Sequence, residues 1–198
     1  SRAFVACDLL PSSQLAAMIG IALPALVMGF QQFDSLALSG APLLQAAQQD
    51  GGFVITMVPG LVEASDRALE QLAKCALEHP EQFAAKDLLD GGKRLTLAGL
   101  NADIMAAAAC PALEEHLSPL RAAIANATGR VVEALSPALR LPILEREGPF
   151  TAVVAQGDVL EHAHVYLPGE AAAVAVPPHR DAGGFLVMTR PWTQGGSA

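Results

Sequence analysis

The stretch "VPPHRDAGGFLVMT", residues 176–189, holds two features on which the fold turns: an apolar run of strand-like composition and a polar triplet ahead of it. Pro177 and Pro178 precede the triplet, and Gly183 and Gly184 separate it from the apolar run. In extended backbone, residues i and i+2 point to one side, so His179 and Asp181 project together while Arg180 points the other way. An imidazole and a carboxylate placed in this way can occupy two adjacent positions on a metal ion. The alternative is a polar turn between two strands. Either way the surroundings read as β structure. From Thr151 onward, "FTAVVAQG", "VLEHAHVYLP", "AAVAVPPH" and "GFLVMTRP" are short strand-like runs punctuated by Gly, Pro and Asp.

Upstream the texture is helical. In "LLQAAQQDGGFVITMVPGL" (residues 43–61) Gly51 and Gly52 break a helix, residues 53–58 form a buried β-branched strand, and Pro59 with Gly60 end it. Residues 61–78 carry Leu61, Leu69, Leu72, Ala76 and Leu77 at helical spacing, with charged residues on the other side, and Pro80 stops that helix. Residues 82–100 are mixed, with "DGGKR" as a turn and "RLTLAG" as a short strand. The longest helical pattern covers residues 111–138. Pro111 suits its first turn, and Leu113, Leu117, Leu120, Ile124, Val131 and Leu135 outline its apolar stripe. Pro119 should kink this helix or mark its true start, and Pro137 and Pro142 close it. Helices first and strands last predicts an α+β fold.

The chain of 198 residues is enough for one domain with a sizeable core. At 52% hydrophobic but only 5% aromatic, that core must be filled by Ala, Leu and Val. A net charge of −8, with twelve scattered Lys and Arg, argues against a nucleic-acid partner. The three cysteines, Cys7, Cys75 and Cys110, have no metal-like spacing; they read as buried thiols, with a Cys75–Cys110 bridge as the alternative. Residues 15–30, "LAAMIGIALPALVMGF", are uncharged but shorter than the ~20 apolar residues of a membrane span, and Pro24 interrupts them. Membrane contact through this segment is not favoured. It reads equally as a helix packed on the domain or as the apolar region of a secretory signal, which leaves cytoplasmic and secretory routes both open. On the secretory route, "NAT" at Asn126 would be a formal glycosylation site, although it lies inside a helical pattern.

Taken in order, these elements resemble the isopenicillin N synthase-like branch of the Fe(II)/2-oxoglutarate-dependent oxygenases. The features that carry the resemblance are "DGGFVITMVPGL" followed by an amphipathic helix, Tyr166 two residues before Pro168 in "LEHAHVYLPG", and H-x-D before a hydrophobic strand. It covers residues 41–189. It implies a helical N-terminal layer packed on a partial double-stranded β-helix (jelly-roll) core. Residues 1–40 then form an apolar N-terminal segment, 41–142 the helical part and 143–198 the β part. It further implies Fe(II) and 2-oxoglutarate as cofactors, with His179 and Asp181 as metal ligands and Tyr166 as a cofactor-binding contact to the 2-oxoglutarate carboxylate. The substrate, small molecule or protein, stays unspecified.

The chain departs from that pattern in its last part. The family's second His and its Arg-x-Ser on a later strand have no counterpart after Asp181, and Arg180 stands where a small residue is usual. The four strand-like runs also fall short of the about eight strands of a jelly-roll. The missing strands, with the third ligand, are therefore expected from downstream sequence or a partner chain. A non-catalytic oxygenase-fold scaffold subunit is the alternative, distinguished by whether a third ligand exists. A cupin-like metal site built on His162, His164, Gly157 and Glu170 has spacings off by about one residue. No phosphate-binding glycine loop or serine nucleophile elbow is present, and His79 and His116 sit beside helix ends.

Overall fold

Gly51 adopts a left-handed conformation (φ 73°) that few side chains tolerate, and it ends the first helix by donating its N–H to Ala47 O. This turn sits within a parallel crossover unit. Strand β2 (Gln32–Asp34) leads into helix α1 (Gly40–Asp50), and the chain returns along strand β3 (Gly52–Thr56), parallel to β2. The computed structural model describes residues 2–7, 30–88, 91–100, 110–139, 148–167, 185–189, 192–193 and 196–197. Phe53, Val54 and Ile55 are fully buried, as expected of a strand covered on both faces. The strand is shorter than the sequence suggests. Met57, at φ 55°, leaves extended backbone, and its carbonyl accepts the hydroxyl proton of buried Ser35 at 2.8 Å.

Strand β1 (Arg2–Cys7) lies between β3 and β7 (Phe185–Thr189) and is antiparallel to both, giving the order β2-β3-β1-β7. The "GFLVMT" run is thus a strand, as read, and the first residues of the chain pair with it. Helix α2 (Leu61–Glu78) has the predicted bounds, but its buried stripe is Leu61, Ser65, Ala68, Leu72, Cys75 and Ala76. Leu69 packs only partly against the core, and Leu77 faces solvent. Helix α3 (Ala112–Leu135) buries Leu113, Leu117, Leu120, Ala123, Ala127, Val131, Val132 and Leu135, and it continues through Pro119 rather than starting there. The two long helices pack on each other, and a disulfide between Cys75 and Cys110, at the end of α2 and just ahead of α3, ties them together. The expectation of free thiols at these two positions is corrected: packing brings their Cα atoms to 6.0 Å, well within bridging range.

The run "FTAVVAQ" is also corrected. It forms helix α4 (Phe150–Gln156), not a strand. Pro149 precedes its first turn, and Phe150 and Val154, four apart, turn toward the core on one helical face. A second, antiparallel sheet has the order β4-β5-β6, from β4 (Ala84–Asp87), β5 (Lys93–Leu100) and β6 (Leu160–Leu167). A two-stranded ribbon, β8 (Trp192–Thr193) with β9 (Gly196–Ser197), completes the described elements. The architecture is mixed α and β, with four α-helices among the described residues. The simple order of helices first and strands last does not hold, since β1 to β5 all precede α3. Residues 15–29, His179, Asp181 and Glu170 lie outside the described residues. Among the described residues no helix is long and apolar enough to cross a membrane.

Candidate functional site

Strand β6 alternates strictly. Ala163, Val165 and Leu167 pack against the core, while His162, His164 and Tyr166 stand on the opposite face. On β5 the same alternation buries Leu95 and Leu97 and leaves Arg94 and Thr96 on the outer side. The register then decides the neighbours. Tyr166 is directly opposite Arg94, His164 opposite Thr96 and His162 opposite Ala98. One strand further, Lys86 of β4 lies opposite Arg94 and Ala84 opposite Thr96. The outer face therefore presents two rows across the sheet: Lys86–Arg94–Tyr166 and Ala84–Thr96–His164.

The rings of His162 and His164 are 5.5 Å apart, and those of His164 and Tyr166 are 6.1 Å apart. His164 Nδ1 and Thr96 Oγ1 share a hydrogen bond of 3.0 Å. Burial, followed by the charges of Arg94 and His162, lowers the His164 pKa from 6.5 to about 4. The imidazole is therefore neutral at pH 7. Tyr166 is 54% exposed, so it is not a core residue capping a strand end. Arg94 Nε is buried and has no hydrogen-bond partner among the described residues.

Behind this face, Glu161 and Arg121 fix the strand on its helix. Arg121 Nε donates to Glu161 Oε2 at 2.7 Å, and its Nη1 donates to Glu114 Oε1 at 2.6 Å. Burial alone would lower the Arg121 pKa, but the hydrogen bonds and charges of Glu114 and Glu161 raise it overall, so the guanidinium stays charged. The links tie β6 to the N-terminal half of α3.

Of the predicted site residues, Tyr166 is on this face, while His179 and Asp181 are outside the described residues. An imidazole and a carboxylate two residues apart suit a ferrous ion in their donor chemistry. His162 and His164 do share one face, as the cupin-like alternative requires, but Glu170 is also outside the described residues. Among the described residues no group of three or more His, Cys, Asp or Glu could hold a metal ion. Arg94, Thr96 and Lys86 were not picked out from the sequence. The signal was available in the alternation of "KRLTLAG", which sets Arg94 and Thr96 on one side, but pairing with β6 cannot be read from either strand alone.

A separate open cleft of about 330 Å³ is lined by Ser35, Val58, Pro59, Ala123, Asn126, Ala127 and Arg130. Arg130 Nη1 donates to Ser35 O at 3.3 Å, which occupies part of the cleft's charge. Asn126 is exposed in mid-helix, the setting its sequence pattern suggested. No protein-family model matches the chain, and neither a curated protein nor a solved structure matches it.

Proposed function

We propose that the chain is a non-haem Fe(II)/2-oxoglutarate-dependent oxygenase-like protein, acting on a substrate that its residues do not name. The observation that carries this reading is the position of Tyr166. It stands on the solvent-facing side of β6 beside Arg94, where its hydroxyl can donate to a bound carboxylate, and not in the core. The order of elements supports the same reading: β3, the amphipathic α2, the Tyr-bearing β6, then H-x-D ahead of β7. A double-stranded β-helix core is the finer form of the fold that this proposal requires.

His179 and Asp181 would hold the metal, and Tyr166 would orient the co-substrate. Fe(II) held there would supply activation of O2, the oxidant, with 2-oxoglutarate as the co-substrate that is decarboxylated to succinate while a C–H bond of the substrate is oxidised. The chain's own part is to bind and align. His164, neutral at pH 7, keeps its hydrogen bond to Thr96, while Arg94, opposite Tyr166 across the ladder, adds positive charge to the same face.

Fe(II) titration of the purified chain under anaerobic conditions tests the proposal, with His179→Ala as the comparison. The variant should lose at least about tenfold in metal affinity, since it removes one of two protein ligands, and should keep the parent circular dichroism. Equal binding by variant and parent would remove the iron reading. A collapse of the fold on substitution would favour a structural histidine and, with it, a non-catalytic scaffold.

A further inference from the structure

The protein carries a net charge of −8, yet the outer face of the β4-β5-β6 sheet shows no carboxylate among its described positions. Its polar side chains are Lys86, Arg94, Thr96, His162, His164 and Tyr166. Arg94 differs in its charge partners from Arg121, the other arginine of intermediate burial among the described residues. Both keep one guanidinium nitrogen buried without a hydrogen bond, Nη2 of Arg121 and Nε of Arg94, but Arg121 is neutralised by two glutamates whereas Arg94 has no ion-pair partner among the described residues. A half-exposed guanidinium with a buried, unpartnered Nε and no carboxylate beside it is stabilised by an oxygen anion that takes its planar fork of donors.

We propose that this face binds the carboxylate of a small organic acid, with the Arg94 guanidinium as charge partner and Tyr166 and Lys86 as flanking donors. The row Lys86–Arg94–Tyr166 runs straight across three strands. At about 4.8 Å between strands it spans about 10 Å, the length scale of a small dicarboxylate and its contacts. Thr96 and His164 hydrogen-bond to each other and so form a neutral floor beside the row. Lys86 and Tyr166 are exposed, so the row is open to a ligand from solvent. The inference rests on the oxygenase reading only for the choice of 2-oxoglutarate as one of two probes.

Calorimetric titration of the full chain with 2-oxoglutarate and with succinate, both in the presence of a metal chelator, provides the test. Binding should be measurable for the parent and should weaken about tenfold or more in Arg94→Gln, because a charge-assisted pair is lost. Arg94→Lys keeps the charge without the fork and should fall between the two. Lys93→Gln removes an equal charge from the other face of the sheet, where Lys93 pairs with Asp87 at 3.8 Å, and should bind like the parent. Circular dichroism confirms that each variant is folded. No binding by the parent, equal binding by Arg94→Gln, or equal weakening by Lys93→Gln would overturn the proposal, as would inorganic phosphate displacing either acid at comparable concentration. Retained acid binding alongside a failed Fe(II) titration would sink the oxygenase reading and leave this site standing.

Discussion

His164 shows how one residue's setting becomes a property of the protein. Its imidazole is half-buried, bonded to Thr96 and faced by Arg94, and its pKa falls to about 4. In the unfolded chain the ring takes up a proton below about 6.5, whereas the folded protein resists until about 4. Above pH 6.5 both states are neutral and this residue leaves stability unchanged. As pH falls from 6.5 toward 4 the unfolded state binds the extra proton, so stability is lost across that window and levels off below it. Melting temperatures at pH 7 and pH 5 check this. His164→Gln should show a smaller drop between the two than the parent does, and an equal drop would place the acid sensitivity elsewhere. Tyr166 and Arg94 were differently legible. The tyrosine is visible in the sequence as part of a strand ending in Pro168, but its exposure, which separates a ligand contact from a core residue, depends on which face of β6 meets the core.

At the scale of elements, helix boundaries were the most legible feature. Pro59 and Gly60 before α2, Pro80 after it, and Gly51 after α1 act through local backbone restrictions that need no distant partner. The misread element is α4. A heptapeptide with Val153, Val154 and Thr151 has strand-like composition, yet Phe150 and Val154 find the core at helical spacing, and packing overrides propensity. Gly40 records a contact between elements that composition could not announce. A Cβ added there would run into the carbonyl of Ala134, so the start of α1 abuts the end of α3 backbone to backbone. Gly40→Ala must push these helices apart and should destabilise the protein by about 1–3 kcal/mol. Thermal melting should register this as a shift of about 2–4 °C per kcal/mol in a chain of this size. Gly129→Ala, at an exposed helical position with open space around its Cβ, should instead be neutral or stabilising.

Across the whole molecule, the Cys75–Cys110 bridge closes a loop of 35 residues that contains the β4–β5 hairpin carrying Arg94. On a chain-entropy account, closing a loop of that length contributes about 4 kcal/mol by restricting the unfolded state. Paired replacement of Cys75 and Cys110 by Ala, or reduction under native conditions, should lower the urea midpoint with a larger unfolding slope, since the unfolded chain expands. An unchanged midpoint would mean that the reduced protein already packs α2 on α3 equally well. The sequence by itself determined the local features: the spans of the long helices α2 and α3, turns, the alternation of "LEHAHVYL" and "KRLTLAG", the alanine-leucine core, and the absence of a phosphate-binding charge pattern. These depend on dihedral preference and periodicity over a few neighbours. Tertiary structure alone decided that residues 2–7 join the sheet between β3 and β7, that two cysteines 35 residues apart meet, and that Lys86, Arg94 and Tyr166 align across three strands. Each of these is a pairing between segments distant in the chain. Its register is set by which faces are buried together, and no single segment encodes that.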